Sequence, residues 1–350
     1  MSVDLADLAR QTAGRLATDH VWVAVAAVVG SSVEISSAGS TGVGDRAPGA
    51  DSIFEIGSIT KVFTALALAK QSLAGLVDLD EPVRQLLPAG VQVPSRAGRE
   101  ITLRHLATHT SGLPCLPKGM LWRVLLHPNE PDPYAKCSAE LILEGLSRTK
   151  LHAPPGDRFR YSNLGGGLLG LALASRAGTT YESVIDAEVC RPLVLTDTHI
   201  SLDPARAERL AQGHTRSRKA TPLWNLNALA GAGALRSTAI DLVRFARAQL
   251  DPGTSEIADA IELTHQPQHR INRLAGVRLG WMGLRLHPRF DSVDLIWHNG
   301  GTGGFRSWIG FIPAKQAAVV VLSNTARSVD GRAFDLLQAV AFGRQLRGRS

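Results

Sequence analysis

A serine and a lysine three residues apart, Ser58 and Lys61, open an apolar stretch of the chain. After them, apolar residues recur with helical spacing at positions 62, 63, 66, 67, 69 and 73. A serine at a helix N-terminus lies among unpaired backbone N–H groups at the positive end of the helix dipole. Lys61 follows one turn later on the same face, where apolar surroundings should lower its pKa. The pair therefore predicts a serine nucleophile whose proton is taken by a lysine.

The same spacing occurs a second time, at Ser147 and Lys150. This copy lies in a polar stretch, and no apolar helix follows it. The condition that would lower the lysine pKa is therefore missing, and we interpret the second copy as a chance match.

Two histidines, His105 and His109, have the i, i+4 spacing of metal ligands on a helix. The residues between them lack the glutamate of H-E-x-x-H, and no third ligand is evident. We interpret both as structural histidines at a helix end. His265 and His269 are separated by Pro267, which prevents a continuous helix, so no metal site is predicted there either.

The glycines at 165–170 formally match the nucleotide-binding pattern G-x-G-x-x-G. No buried strand precedes them, and no acidic residue follows at the required distance. Close packing of a glycine-rich helix is the better interpretation, and no cofactor is predicted.

The composition limits the class of protein and its partners. The chain has 350 residues, 44% hydrophobic and 20% charged, which is typical of one large globular domain or two lobes. The net charge is +7, but the arginines are scattered, which favours a solvated basic surface over a nucleic-acid partner. Three cysteines are an odd, sparse set that indicates reduced thiols and a cytoplasmic location. The apolar run 21–29 is too short to span a membrane, so no membrane partner is predicted.

Periodicity predicts a mixed α and β chain with strands at both ends. The predicted helices are 3–18, 138–147, 164–177, 239–250 and 329–343, with a short helix opened by Pro82 and another that stops at Gly112 and Pro114. The predicted strands are 22–29, 32–38, 278–286, 293–298, 305–312 and 317–323. We expect loop and one short helix over 251–275. The irregular stretch 115–137 fits either a substrate-covering insertion or a packed loop.

Five stretches together resemble one family, the serine β-lactamase/penicillin-binding-protein-like hydrolases. Within it they resemble the class C-like branch, which includes esterases, D-aminopeptidases and transacylases. The stretches are 57–61, 103–114, 161–163, 232–238 and 298–305. Their order and spacing fit the family from about residue 50 to residue 325.

The resemblance implies an α+β fold of the β-lactamase/transpeptidase type, in which an antiparallel sheet is flanked by helices. An α/β lobe carrying the sheet would be built from 1–75 and 270–350. A mainly helical lobe would comprise 76–269, and the active site would lie between the two.

The resemblance also assigns roles to individual residues. Ser58 would be the nucleophile and Lys61 its proton partner. Tyr161 would be a second acid/base whose pKa is lowered by the charge of the neighbouring lysine. Asn163 would form a hydrogen bond with the acyl side chain or with Lys61.

The last matching strand would line the site with His298, Gly300 and Gly301. The backbone N–H groups of Ser58 and Gly301 would form the oxyanion hole, and the missing side chain of Gly301 would allow a close approach. His298 stands where β-lactamases and penicillin-binding proteins carry a lysine. Because a histidine is mostly neutral at pH 7, this departure weakens the case for β-lactam or peptidoglycan substrates. Esterases and D-aminopeptidases of the family commonly tolerate such a change.

These observations predict a cofactor-free serine hydrolase that works through an acyl-enzyme on Ser58. A carboxylesterase for small esters is the first interpretation. The alternatives are a transacylase that passes the acyl group to an amine or alcohol, a D-aminopeptidase or amidase, and a weak β-lactamase. A catalytically silent binding module is the non-enzymatic alternative.

Overall fold

The computed structural model describes residues 4–39, 49–116 and 132–346. Eight strands form one antiparallel sheet in the order β2-β1-β12-β11-β10-β9-β8-β7, and β3 pairs with β6 while β4 pairs with β5. The strands are β1 Trp22–Val29, β2 Ser32–Gly39, β3 Phe54–Glu55, β4 Gly213–His214, β5 Ala220–Thr221, β6 Arg236–Ser237, β7 His269–Arg270, β8 Ala275–Val277, β9 Met282–Arg285, β10 Asp294–Gly301, β11 Arg306–Ile312 and β12 Ala317–Ser323. The main sheet thus combines both ends of the chain.

The central strands are apolar on both faces because helices cover both sides of the sheet. Along β1, Ala24 and Ala26 join one hydrophobic core, whereas Val23 and Val25 join a second one. The helices are α1 Leu5–Ala17, α2 Thr60–Leu73, α3 Leu103–Ala107, α4 Ala139–Ser147, α5 Asn163–Ala177, α6 Tyr181–Ile185, α7 Pro204–Ala207, α8 Ala230–Gly233, α9 Ala239–Leu250, α10 Ala258–His265 and α11 Asp330–Phe342. Helices α1 and α11 pack on one face, and α2 and α9 lie on the other.

Local sequence signals account for several of these boundaries. The Thr238 hydroxyl accepts from the backbone N–H of Asp241 and caps α9. Strands β11 and β12 are joined through a turn at 313–316, in which Gln316 is left-handed. The α+β prediction, with an antiparallel sheet flanked by helices, is confirmed.

Three expectations about element boundaries are wrong. Helix α3 ends at Ala107 rather than at Gly112, because the chain turns into the left-handed region at His109, where φ is 57°. The strand expected over 278–286 is shortened to β9, because Gly280 adopts a φ of 73° and packs closely against α2. The stretch 251–275, expected to hold only loop and helix, also contributes β7 and the first residue of β8 to the sheet edge.

The remaining predictions concern the cysteines, the stretch 115–137, the lobe boundaries and membrane spans. The cysteines Cys115, Cys137 and Cys190 all lie in the described part of the chain, and none of them forms a disulfide. Most of the stretch 115–137 falls outside the described residues, so its substrate-covering role stays a hypothesis, as do the lobe boundaries at 75 and 269. Across 4–39, 49–116 and 132–346, the structure contains no helix that is both long and apolar enough to cross a membrane.

Candidate active site

Ser58 lies in a single 3₁₀ turn, Gly57–Ile59, directly before α2. Gly57 opens this turn with a φ of 51°, a conformation that favours glycine. Ser58 remains half-buried, whereas Lys61, in the first turn of α2, is only 4% exposed. The tight turn and the helix therefore place the two side chains together, as the spacing predicts.

The Lys61 ammonium nitrogen Nζ contacts three oxygen atoms. It lies 3.0 Å from Ser58 Oγ, 2.9 Å from Asn163 Oδ1 and 2.6 Å from the carbonyl oxygen of Ala232. Burial lowers the pKa of Lys61 to about 7, and nearby Cys115 raises it by a smaller amount. The predicted direction of this pKa shift is confirmed.

The three contacts also determine how a neutral Lys61 would use its hydrogen atoms. A neutral amine has two N–H donors and one lone pair. The Ala232 carbonyl and Asn163 Oδ1 only accept, so they take both donors. The lone pair is then left for the hydroxyl of Ser58, which is the arrangement required for proton transfer from serine to lysine.

Tyr161 lies beside this pair, with its ring centroid 4.9 Å from Lys61 Nζ. Burial raises the pKa of Tyr161, and its hydrogen bond with the Ser58 hydroxyl lowers the pKa by less. The expectation of a lowered Tyr161 pKa is therefore wrong. Its physical reason is that burial disfavours the charged phenolate more than the Ser58 hydrogen bond stabilises it.

Asn163 is the first residue of α5 and reaches Lys61 from there. Ser162 caps the helix: its hydroxyl accepts from the N–H of Gly165 at 2.9 Å and donates to the Pro114 carbonyl at 2.7 Å. Further along α5, a Cβ atom at Gly166 would lie 3.1 Å from the Lys61 Cε atom. The close-packing interpretation of the glycine-rich helix is confirmed, and the glycines leave room for the lysine.

His298 enters the site from β10 and is 2% exposed. Its Nδ1 donates to the Asn299 carbonyl at 2.6 Å, and its ring centroid lies 6.3 Å from that of Tyr161. Burial, and then Lys61, lower the pKa of His298 to about 4. At neutral pH this residue is therefore uncharged, unlike a lysine at the same place. The neighbouring Asn299 side chain instead donates to Asp330 on α11.

The end of β10 is pressed against the serine turn. A Cβ atom at Gly300 would lie 2.0 Å from the Ile56 carbonyl oxygen, and one at Gly57 would lie 2.5 Å from the backbone nitrogen of Gly301. The close approach of β10 to the serine turn thus depends on Gly57 and Gly300, and not on Gly301 as the resemblance implies. A Cβ atom at Gly301 would instead meet the Arg306 side chain at 2.9 Å. The oxyanion-hole role of the Ser58 and Gly301 N–H groups stays a prediction.

Two further side chains lie beside the site, although their sequence context does not indicate it. The spacing of His109 favours a structural role, but its ring centroid lies 4.4 Å from that of Tyr161. Tyr134 forms a hydrogen bond with Asn163, and burial raises its pKa to about 12. For His109, the turn that follows α3 is a sequence signal that could indicate a place near the site. The irregular stretch around Tyr134 contains no such signal.

The other histidine of the i, i+4 pair, His105, has the structural role that was predicted. Its Nδ1 accepts from the N–H of Thr102 while the Thr102 hydroxyl accepts from the N–H of His105, which makes a capping box for α3. Among the described residues, no group of three or more His, Cys, Asp or Glu side chains could hold a metal ion.

Comparison with known proteins agrees with this geometry. The model of the Beta-lactamase family matches residues 8–342. The chain belongs to the β-lactamase family. This β-lactamase-family protein is 31% identical to the D-alanyl-D-alanine-carboxypeptidase/endopeptidase AmpH of Escherichia coli (strain K12), over 87% of its own length and 81% of the relative. It is 28% identical to a beta-lactamase of Pseudomonas fluorescens, over 78% and 80% of the two chains.

A solved structure gives the same result for the fold. The class C beta lactamase of Rhodobacter sphaeroides superimposes with a TM-score of 0.80 over 95% of this chain and 98% of the other, at 24% identity. The β-lactamase-family chain is therefore an enzyme of the serine β-lactamase/penicillin-binding group, and a hydrolase of the serine β-lactamase/DD-carboxypeptidase type.

Proposed function

We propose that this hydrolase is a carboxylesterase for small esters that works through an acyl-enzyme on Ser58. The observation that carries the proposal is the environment of Lys61. Its Nζ lies 3.0 Å from Ser58 Oγ, and its pKa is about 7. Its N–H groups are engaged by Asn163 and Ala232, so its lone pair is directed to the serine.

Acylation follows from these protonation states. Ser58 Oγ attacks the ester carbonyl as its proton passes to Lys61, and the oxyanion is bound by the N–H groups of Ser58 and Gly301. When the C–O bond to the alcohol breaks, the alkoxide takes the proton of the Tyr161 hydroxyl. Lys61 then returns its extra proton to Tyr161, so both side chains regain their resting states. The raised pKa of Tyr161 suits this role, because the phenol remains protonated and able to donate.

Deacylation reverses the sequence with a different nucleophile. Water loses a proton to the Lys61 and Tyr161 pair and attacks the acyl group. The carboxylic acid then leaves, and Ser58 recovers its hydroxyl proton from the same pair. An amine or alcohol that reaches the acyl-enzyme before water would give acyl transfer instead. Transacylase activity is therefore the same chemistry with another acceptor.

The state of His298 favours an ester over a carboxylate-bearing substrate. A pKa of about 4 leaves the ring neutral at pH 7, so it supplies no fixed positive charge to attract a carboxylate. A small neutral ester needs no such charge. Weak rather than efficient β-lactam turnover is expected for the same reason.

A second candidate function is cleavage of a small amide or a peptide containing D-amino acids. The specific observation in its favour is the 31% identity with a protein named a D-alanyl-D-alanine-carboxypeptidase/endopeptidase. The acyl-enzyme would be the same, with an amine as the leaving group that receives the Tyr161 proton.

Intact-protein mass spectrometry tests the proposal. The protein is mixed separately with p-nitrophenyl acetate, p-nitrophenyl butyrate and a β-lactam, beside the variants Ser58→Ala and Ser147→Ala. The matched control is Ser147, because it has the same spacing to a lysine but no buried partner. We expect acyl adducts or turnover with the esters in the wild type and in Ser147→Ala, and neither in Ser58→Ala.

Other results would redirect or overturn the proposal. Rapid turnover of the β-lactam would mean that His298 serves such substrates as well as a lysine does. Release of D-alanine from a peptide ending in D-Ala-D-Ala, faster than ester hydrolysis, would favour the second candidate. No Ser58-dependent adduct or turnover with any substrate would refute esterase activity and leave a binding module.

We also propose that the enzyme works in the cytoplasm. None of the three cysteines forms a disulfide, which suits a reducing compartment. Fractionation of the native host beside marker proteins of each compartment tests the location; recovery with exported markers would contradict it.

A further inference from the structure

His109 contacts the chain on both sides of Tyr161. Its carbonyl oxygen accepts from the N–H of Arg160 at 2.7 Å, and its Nδ1 accepts from the N–H of Ser162 at 3.3 Å. Arg160 and Ser162 are the residues immediately before and after the tyrosine. A single residue therefore fixes the backbone at both ends of the Tyr161 position.

The side chain of His109 also packs against the tyrosine itself. Its ring centroid is 4.4 Å from that of Tyr161, with 38° between the planes, and 6.0 Å from that of Phe159, which it meets edge-on. His109 is only 5% exposed, so this packing is enclosed. The position of the phenol ring relative to Lys61 thus depends on the imidazole behind it.

The backbone of His109 is held in an uncommon conformation to make these contacts. Its φ of 57° lies in the left-handed region, which residues other than glycine seldom adopt. Such a conformation persists when the surroundings enforce it, and it is typical of functional sites. Here it directs both the carbonyl and the ring of His109 towards residues 159–162.

The hydrogen bond to Ser162 also defines the protonation of the ring. A backbone N–H can only donate, so Nδ1 of His109 is unprotonated and the ring proton lies on Nε2. Burial lowers the pKa of His109 well below its usual range, and the nearby titratable groups Lys61 and His298 lower it further. The imidazole therefore remains a neutral acceptor at the pH values where Lys61 can act as a base.

We propose that His109 is a positioning residue that holds Tyr161 beside Ser58 and Lys61. The inference rests on the proposed function, in which Tyr161 protonates the leaving group. His109 acts through Tyr161. Its removal should therefore lower kcat most for substrates whose leaving group has a high pKa, because these depend most on the tyrosine proton.

The variant His109→Gly tests this, because glycine accepts the left-handed backbone while it removes the ring and the Nδ1 acceptor. For an ethyl ester, we expect kcat to fall about 10- to 100-fold with KM changed less than about twofold, since a misplacement of about 1 Å costs this much. The loss should be smaller with a p-nitrophenyl ester, whose leaving group needs little protonation. His109→Asn, which also tolerates a left-handed φ and restores a side-chain acceptor, should recover part of kcat.

The matched control is His105→Gln. His105 is the other histidine of the pair, and glutamine at its position preserves the capping box of α3. We expect its kcat for both esters to stay within twofold of the wild-type value. An equal loss in this variant and in His109→Gly would indicate general disruption of the segment and overturn the inference.

Coupling to Tyr161 provides the decisive readout. In a Tyr161→Phe background, His109→Gly should cause little further loss, because the group that it positions has already been removed. Independent, multiplicative losses would overturn the positioning role, and so would wild-type kinetics in both His109 variants. If His109→Gly does not fold, the same cycle is measured with His109→Asn.

The proposed function and this inference can fail separately. Ester turnover that persists in Ser58→Ala refutes the first. A crystal structure of a His109 variant tests the second without any substrate: we expect the Tyr161 ring to move from its place 4.9 Å from Lys61 Nζ. An unmoved tyrosine would contradict the inference even if the esterase proposal is correct.

Discussion

Two copies of the same four-residue spacing have opposite surroundings in this molecule. Ser58 and Lys61 lie at the start of a buried helix, where the lysine Nζ contacts the serine hydroxyl. Ser147 and Lys150 lie at the exposed end of α4, where the serine hydroxyl donates to the carbonyl of Glu144 instead. The spacing is equal, so the chemistry of the first pair must come from its environment.

The difference between the copies is electrostatic. Burial lowers the pKa of Lys61 to about 7, so at neutral pH the neutral amine is available to act as a base. Lys150 is exposed to solvent, and the Ser147 hydroxyl donates to a backbone carbonyl rather than to this lysine. The buried helix, rather than the sequence motif, therefore makes a nucleophile.

Replacement of the two lysines gives the largest expected contrast. Lys61→Met should lower kcat/KM for p-nitrophenyl butyrate by about 10²- to 10⁴-fold, the usual contribution of a general base. Lys150→Met should leave it within twofold of the wild-type value. Steady-state kinetics on both variants, with circular dichroism to verify folding, measure the contrast. Equal effects would show that the burial of Lys61 has no catalytic consequence.

The pH profile sharpens the same comparison. Protonated Lys61 has no lone pair, so activity should decline as the pH falls through about 7. At pH 5, kcat/KM should be about 100-fold below its plateau, which is tenfold per pH unit. His298 titrates at about 4, and burial keeps the Tyr161 pKa above its usual value, so neither should add a limb between pH 5 and 9.

The control for this profile is Lys150→Met, which should show the same limb. An acid limb centred near pH 10 would mean that Lys61 is charged in the resting enzyme, and it would contradict the proton transfer from Ser58.

The first copy also has a strand pressed against its serine turn. In Gly300→Ala, the new Cβ atom would lie 2.0 Å from the Ile56 carbonyl, so strand and turn must separate. We expect the free energy of unfolding to fall by about 1–3 kcal/mol, as for other overpacked sites, together with reduced turnover. Gly331→Ala is the control: its Cβ atom meets nothing within 4 Å, and in helix α11 it should add about 0.5–1 kcal/mol. Urea denaturation of both variants measures these changes. An unchanged midpoint for Gly300→Ala would refute the need for a close approach between β10 and the serine turn.

The sequence predicts features that depend on local pattern. Continuous apolar runs indicated β1 and β12, and the spacing of Ser58 and Lys61 indicated a contact that the structure contains. The direction of the Lys61 pKa shift also followed, because it depends on an apolar helix that is visible in the sequence.

Features that depend on distant contacts were missed. The Tyr161 pKa was assigned the wrong direction because the depth of its pocket is set by residues about 50 and 140 positions away, such as His109 and His298. The sequence predicts too long a helix at α3, because the left-handed turn that ends it at His109 is stabilised by the distant residues 160 and 162. The break at Gly280 likewise depends on packing against α2.

The smallest expected effect belongs to the serine of the second copy. Ser147→Ala removes one hydrogen bond, from the hydroxyl to the Glu144 carbonyl, at an exposed helix end. Water replaces that bond and alanine favours the helix, so the free energy of unfolding should change by less than about 0.5 kcal/mol. Urea denaturation measures the change, and ester kinetics should be unaltered. A loss of activity in this variant would mean that the second copy contributes to function, and the distinction between a buried and an exposed lysine would no longer explain which serine reacts.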